Sequence, residues 1–233
     1  MRGVLISGTD TDVGKTYVTA LIARELVSAG VKLGVYKPAC SGADVTNGQA
    51  RWADLETLSK ASGITDLDRI CPQRFVAPLA PPVAAREAGA AVDWDVIRTG
   101  LTRWTSDADF VLVEGVGGLL CPLTDSRSMA DFAVWADLPL IIVARLGLGT
   151  INHTLLTLEA AEQRGLSVEG VVLNDVDNQA DTPAAATNLA ELSRLSPVPV
   201  LGTVSSHGQA IQLRDGIPRG KMAWLREIDN VSV

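Results

Sequence analysis

Six short and almost unbroken apolar runs punctuate the chain, at residues 4–6, 33–36, 110–113, 140–143, 171–173 and 198–201. None alternates polar with apolar as a strand with one wet face would. Each therefore reads as a strand buried on both sides, the pattern of a parallel sheet covered by helices. Between the runs the period changes to that of a helix. Val18, Leu21, Ile22 and Leu26 share one helical face that Gly30 would end, and Ile151, Leu155 and Leu158 share another in the stretch closed by Gly165. Strand alternating with helix predicts a doubly wound α/β fold.

Every apolar run is followed at once by polar and glycine-rich residues: SGTDTD, KPACSG, EGVGG, ARLGLGTINH, NDVDN and GTVSS. In an open parallel sheet such turns lie together along the carboxyl edge, where ligands bind. Residues 72–92, with Pro72, Pro78, Pro81 and Pro82, read as a loop and short helix within one domain spanning 1–233. The weaker pattern of 205–233 predicts a cover over the sheet edge.

The first of these turns carries the clearest chemistry. Gly14-Lys15-Thr16 closes the stretch GTDTDVGKT between a buried strand and an amphipathic helix. Main-chain N–H groups of such a loop point at phosphate oxygens, and the helix N-terminus favours negative charge. Lys15 would reach the β- and γ-phosphates, and Thr16 would give its hydroxyl to Mg²⁺. The spacing is unusual, since five residues separate Gly8 from Gly14.

Further candidates sit at the other strand ends. Glu114, in VLVEGVGG, supplies a hard oxygen ligand, or else a solvated strand-end acid; Gly115, Gly117 and Gly118 would let main chain approach a ligand closely. Lys37 shares the edge with the triphosphate and could neutralise transferred charge. Asp54 opens the helix ADLETLSK, where it favours the helix dipole. GTINH, residues 149–153, starts a helix that could hold a carboxylate, or that Thr150 simply caps. His153 reads as structural, and Asn174-Asp175 as a base-reading strand end or an Asx turn.

Composition narrows the classes. Among 233 residues, 47% are hydrophobic and 4% aromatic, so aliphatic side chains fill the core. A net charge of −7 lacks the basic face a nucleic-acid binder requires. Cys40, Cys71 and Cys121 form no C-x-x-C pair and suit a reducing compartment. No signal-peptide pattern and no apolar run of membrane-spanning length is present, which predicts a cytoplasmic protein without membrane contact.

Taken in order, GTDTDVGKT, YKPACSG, VLVEGVGGLLCPL, LGLGTINHTLLTLEAA and GVVLNDV resemble the dethiobiotin synthetase family across most of residues 3–176. The resemblance implies a P-loop NTPase-like domain with a mostly parallel sheet and helices on both faces. It implies an ATP- and Mg²⁺-dependent ligase that forms dethiobiotin from 7,8-diaminopelargonic acid and CO2, working as a homodimer with active sites at the interface. By position it assigns Thr16, Asp54 and Glu114 to Mg²⁺. Asp12, Val13, Gly14 and Lys15 fall in the phosphate cradle, and Asn174 at the adenine. Thr11, Lys37, Ser41, Gly117 and Gly118 lie beside the diamine and its carbamate, with Lys15, Lys37 and Thr11 acting in catalysis. Asn152 would hold the substrate carboxylate from the other subunit. Two positions depart from the family pattern: aspartate stands at 12 in place of glutamate, and residues 202–205 lack a proline expected in the base-binding loop. A partitioning-type switch ATPase working through a protein partner shares the loop, but usually carries an additional lysine early in it. Here those positions are Thr9, Asp10 and Thr11.

Overall fold

The computed structural model describes residues 1–178, 182–217, 220 and 222–231. In chain order its elements are β1 (Gly3–Gly8), α1 (Lys15–Ser28), β2 (Leu33–Tyr36), β3 (Cys40–Ser41), β4 (Asp44–Thr46), β5 (Gln49–Arg51), α2 (Ala53–Ser62), α3 (Leu67–Ile70), β6 (Arg74–Phe75), α4 (Pro81–Glu87) and α5 (Trp94–Thr102). There follow β7 (Phe110–Gly118), α6 (Met129–Ala136), β8 (Leu140–Arg145), α7 (Thr150–Glu162), β9 (Val168–Asn174), α8 (Pro183–Leu195), β10 (Val200–Val204), β11 (Gln212–Leu213) and α9 (Ala223–Val231).

Seven strands form the main sheet in the order β11-β10-β9-β8-β1-β7-β2. All pairings are parallel except that of β11, which runs antiparallel to β10. The six apolar runs are the six parallel strands, as their lack of alternation requires. Val4, Leu5 and Ile6 of the interior strand β1 are fully buried. One face packs on α1, α2 and α9 through Val18, Ile22, Leu55, Leu58 and Trp224. The other packs on α4 to α8 through Ala84, Ile97, Phe132, Leu158 and Leu192. Each fully buried leucine or isoleucine contributes about 1.5–3 kcal/mol.

The structure departs from the hydrophobic pattern in α7. The sequence places Ile151, Leu155 and Leu158 on its inner face. In the fold Thr150, Thr154, Thr157, Leu158 and Ala161 are buried, while Ile151 and Leu155 are only partly covered. The branched threonines give this helix a narrow inner face, and Thr157 satisfies its hydroxyl on the carbonyl of His153 at 2.8 Å. Within 72–92 the short helix is α4, begun by Pro81 and Pro82, and β6 pairs with β3.

Parallel register brings the functional ends together. Ile6 stands opposite Glu114, and Tyr36 opposite Val113. The turns after β1, β2 and β7 therefore leave the sheet side by side.

Candidate functional site

Residues 9–14 connect β1 to α1 and end at Gly14, whose φ of 84° is left-handed. A side chain there would be doubly excluded, because a Cβ would lie 1.9 Å from Asn174 Nδ2. Asp12 is also left-handed, at φ 57°, a region that aspartate tolerates better than most residues. Helix α1 has no side-chain cap and no acid in its first turn. By contrast Asp93 caps α5, Ser128 caps α6 and Thr182 caps α8. The uncapped N-terminus leaves N–H groups and a positive dipole end facing a cleft, a built anion site.

That cleft measures about 810 Å³. Thr11, Asp12, Gly14, Lys15 and Thr16 form one wall, with Lys37, Cys40, Ser41 and Asp54 on another and Gly115 and Gly117 on a third. Ser41 faces it while donating its hydroxyl to Leu79 O at 2.7 Å. A larger concavity of about 990 Å³ lies at the other end of the strands, lined by Leu138, Ser167, Glu169 and Pro199. It holds none of the candidate residues.

Inside the cleft the charges are paired. The Lys37 ammonium bonds Asp54 and lies 2.5 Å from Glu114 Oε1. Thr16 donates its hydroxyl to the same Oε1 at 2.8 Å. Burial works against charge on Lys37, but Glu114 and Asp54 more than offset it and raise its pKa above the ordinary lysine value. Burial likewise raises the Asp54 carboxyl, and Lys37 and Thr16 outweigh it, leaving that pKa low. Lys15 donates to Asp10 O at 2.8 Å. Burial, joined by repulsion from Lys37, lowers its pKa, against attraction from Glu114, Asp54 and Asp12.

Glu114 Oε2 is buried and has no hydrogen-bond partner among the described residues. An orphaned carboxylate oxygen beside a threonine hydroxyl and a second carboxylate is an all-oxygen donor set, which suits a hard cation such as Mg²⁺. No group of three or more His, Cys, Asp or Glu placed to hold a metal ion occurs among the described residues. Two carboxylates and a hydroxyl leave room for phosphate oxygens and water, the usual arrangement for this ion.

The other candidates fall in three places. Gly117, with φ 60°, sits over Cys121 and near the Thr11 hydroxyl, while Gly118 lies over the main chain of Gly8 and Thr9. Asn174 is buried beneath the phosphate loop, not on the cleft wall, and donates Nδ2 to Val13 O at 3.1 Å. Asn152 is exposed on the first turn of α7 and does not line the cleft of its own chain. Helix α7 is capped by the left-handed Gly149 without a side-chain bond, so Thr150 is the first helical residue and not the cap. His153 is exposed on the same turn.

Sequence reasoning missed Cys40, Cys121 and Trp52 as cleft residues. Cys40 stood inside the quoted YKPACSG and Cys121 just beyond the glycines, so proximity to those motifs was the available signal. Neither thiol is activated. Burial pushes Cys40 up to about 11 and also raises Cys121, which leaves both protonated at neutral pH.

Comparison with known proteins follows the same lines. A protein-family model described as an AAA domain matches residues 2–212. The ATP-dependent dethiobiotin synthetase BioD of Anaeromyxobacter dehalogenans (strain 2CP-C) is 44% identical over 197 residues, covering 84% of this chain and 86% of the relative. The protein of the same description from Anaeromyxobacter sp. (strain Fw109-5) is 41% identical over 223 residues, 96% of this chain and 98% of the relative. Among solved structures, the septum site-determining protein MinD of Pyrococcus horikoshii OT3, complexed with Mg-ADP, aligns with a TM-score of 0.51 at 19% identity, covering 99% of this chain and 95% of that one. Chloroplast FtsY of Physcomitrella patens aligns at 0.55 and 18% identity, over 97% and 64%. These two likenesses establish the fold.

Proposed function

The chain belongs to the dethiobiotin synthetase family, and on that premise we propose that its cleft closes the ureido ring of dethiobiotin from 7,8-diaminopelargonic acid, CO2 and ATP. The family fixes the coarser description, an ATP-dependent ligase of biotin biosynthesis. The finer reading rests on one observation: Lys15, Thr16, Lys37 and Asp54, from separate parts of the chain, line a single cleft at an uncapped helix N-terminus, with the buried Glu114 bonded to Thr16 and Lys37 behind them.

One substrate amine takes up CO2 and loses a proton, giving a carbamate. A carbamate oxygen attacks the γ-phosphorus, the bond to ADP breaks, and a carbamic–phosphoric anhydride forms. The second amine then attacks the carbonyl carbon, the C–O bond to phosphate breaks with its electron pair going to phosphate, and a proton departs to solvent. None of these steps needs a protein nucleophile, in keeping with three protonated thiols. The work of the chain is positioning and charge stabilisation. The N–H groups of residues 12–16 hold the triphosphate, and Lys15 turns from Asp10 O to the β- and γ-oxygens. Lys37, kept cationic by its two carboxylates, stabilises charge on the carbamate and the departing phosphoryl group. Thr11, Ser41, Gly117 and Gly118 border the diamine. Thr16, Asp54 and Glu114 would hold Mg²⁺, which supplies electrostatic stabilisation of the phosphate oxygens.

Asn152 completes the site from a second copy of the chain. It is exposed on α7, away from its own cleft, and exposed Leu120, Leu148 and Leu156 give the neighbouring surface an apolar character. The active unit is a cytoplasmic homodimer, each chain one domain of residues 1–233. No helix among the described residues is long and apolar enough to cross a membrane. A partner-driven switch ATPase has only a likeness of fold in its favour, at 19% identity.

The decisive assay supplies diaminopelargonic acid, bicarbonate and Mg-ATP, and measures dethiobiotin together with phosphate. Equal amounts of both are expected. Phosphate release that ignores the diamine and responds only to a protein partner would replace this reading with the switch.

A further inference from the structure

We propose that Asn174 is a positioning residue for the phosphate loop, aiming the Gly14 N–H at the ligand by holding the carbonyl of Val13. The proposal rests on the reading of residues 8–16 as a triphosphate loop and deepens it.

Asn174 ends β9 inside the sheet, in register with Arg145 of β8 and Val204 of β10. Its carbonyl accepts from Leu146 N at 2.8 Å, and the next N–H, of Asp175, donates to Val204 O at 2.8 Å. Asn174 therefore rises from a backbone clamped on both sides. Its side chain is almost wholly enclosed, with 3% of the residue exposed, and donates Nδ2 to Val13 O at 3.1 Å. The fit is close enough that only glycine can occupy position 14, where a Cβ would meet Nδ2 at 1.9 Å and Val176 Cγ1 at 3.1 Å.

A peptide unit is planar and trans, so its C=O and N–H point in opposite directions. Holding the Val13 oxygen toward Asn174 turns the Gly14 N–H to the opposite side. Gly14 lines the cleft and Asn174 does not, so the side away from Asn174 is the one open to an anion. The main chain at this turn is left-handed at both Asp12 and Gly14, so the peptide plane between Val13 and Gly14 benefits from a restraint. A donor fixed in the sheet supplies one, without itself touching phosphate.

The test separates this role from contact with a nucleobase. Binding of inorganic tripolyphosphate and of ATP, each with Mg²⁺, is measured by calorimetry on the full chain and on Asn174→Ala. A positioning role predicts that both ligands weaken together, by roughly 5- to 10-fold, the worth of one hydrogen bond of about 1 kcal/mol. Tripolyphosphate affinity unchanged while ATP weakens would assign Asn174 to the base alone and overturn the proposal, as would no change in either. A merely structural defect lowers the melting temperature without separating the folded fraction's affinities from wild type. Should Asn174→Ala not fold, Asn174→Ser, one bond too short to reach Val13 O, carries the same comparison. Wild-type chain that binds neither ligand sinks the loop reading, and the positioning role with it; wild type that binds both while the variants do the same sinks the positioning role only.

Discussion

At the scale of single residues, Lys37 is the group on which turnover most depends. Its ammonium is buried between Asp54 and Glu114, and the two acids keep it charged in a place where water screens little. Removing it leaves the phosphate loop, Lys15 and the α1 terminus intact. Lys37→Ala is therefore expected to bind ATP within a few-fold of wild type while turnover falls by about 10²–10³, the usual cost of losing one charge-stabilising group. Calorimetry and steady-state kinetics on the same preparation check it, and a variant that turns over normally would make Lys37 a structural counter-ion only. The strand-end Glu114 and Lys37 were legible in the sequence because each directly follows an apolar run, and GKT because it joins the turn after such a run to an amphipathic helix. What linked them was not. Asp54 lies in a separate helix, and nothing in ADLETLSK distinguishes an acid that bonds Lys37 from one that serves a helix dipole. Asn174 was legible as a strand-end polar residue, but its bond to Val13 crosses 161 positions.

At the scale of elements, side-chain caps satisfy the N-termini of several helices that begin away from the cleft, whereas α1, α2 and α4, which begin at it, carry none. Helix α6 is one of those with a cap. Ser128 accepts from Asp131 N, and the Asp131 carboxylate accepts from Ser128 N at 2.6 Å, a reciprocal capping box. The main-chain and hydroxyl donors of Ser128 depress the Asp131 carboxyl. A depressed folded pKa contributes stability that is fully present above the unfolded value of about 3.9 and is lost as pH falls through the folded one. Asp131→Ala should thus cost roughly 0.5–1 kcal/mol at pH 7, modest because the box is exposed. The cost should shrink as the pH is lowered past 4, as read by urea unfolding at each pH. A penalty independent of pH would locate the effect in packing. The six strands could be read from their apolar runs because a strand buried twice leaves no polar alternation. Helix α7 was legible as a helix and Leu158 as part of its inner face, but the rest of that face was not, since Thr150, Thr154 and Thr157 supply much of it and are too weakly hydrophobic to mark a buried face. The exposed hairpin of β4 and β5 was missed for the opposite reason: it buries almost nothing.

At the scale of the whole molecule, the C-terminal helix holds together regions far apart in the chain. Trp224 of α9 is fully buried among the side chains of α1 and β1, and its indole donates to Glu25 Oε2 at 3.3 Å. Glu169, at the start of β9, accepts from Ala223 N at 2.9 Å and so serves as the acid at the α9 N-terminus. Trp224→Ala should cost about 3–5 kcal/mol and lower the melting temperature by roughly 10 °C, measured by calorimetry at one protein concentration. A drop of less than a few degrees would show that α9 adds little to the core.

The strand order has a consequence for biosynthesis. Strand β1 lies between β7 and β8, which follow it only at Phe110 and Leu140. At about 5–20 residues per second, translation needs roughly 5–20 s more to supply the first of these neighbours. During that interval the nascent chain already displays its whole GTDTDVGKT segment, yet neither Glu114 nor Asn174 has been made. Nucleotide can thus act as a ligand once Asn174 has been made, but not as an early template for the folding of β1.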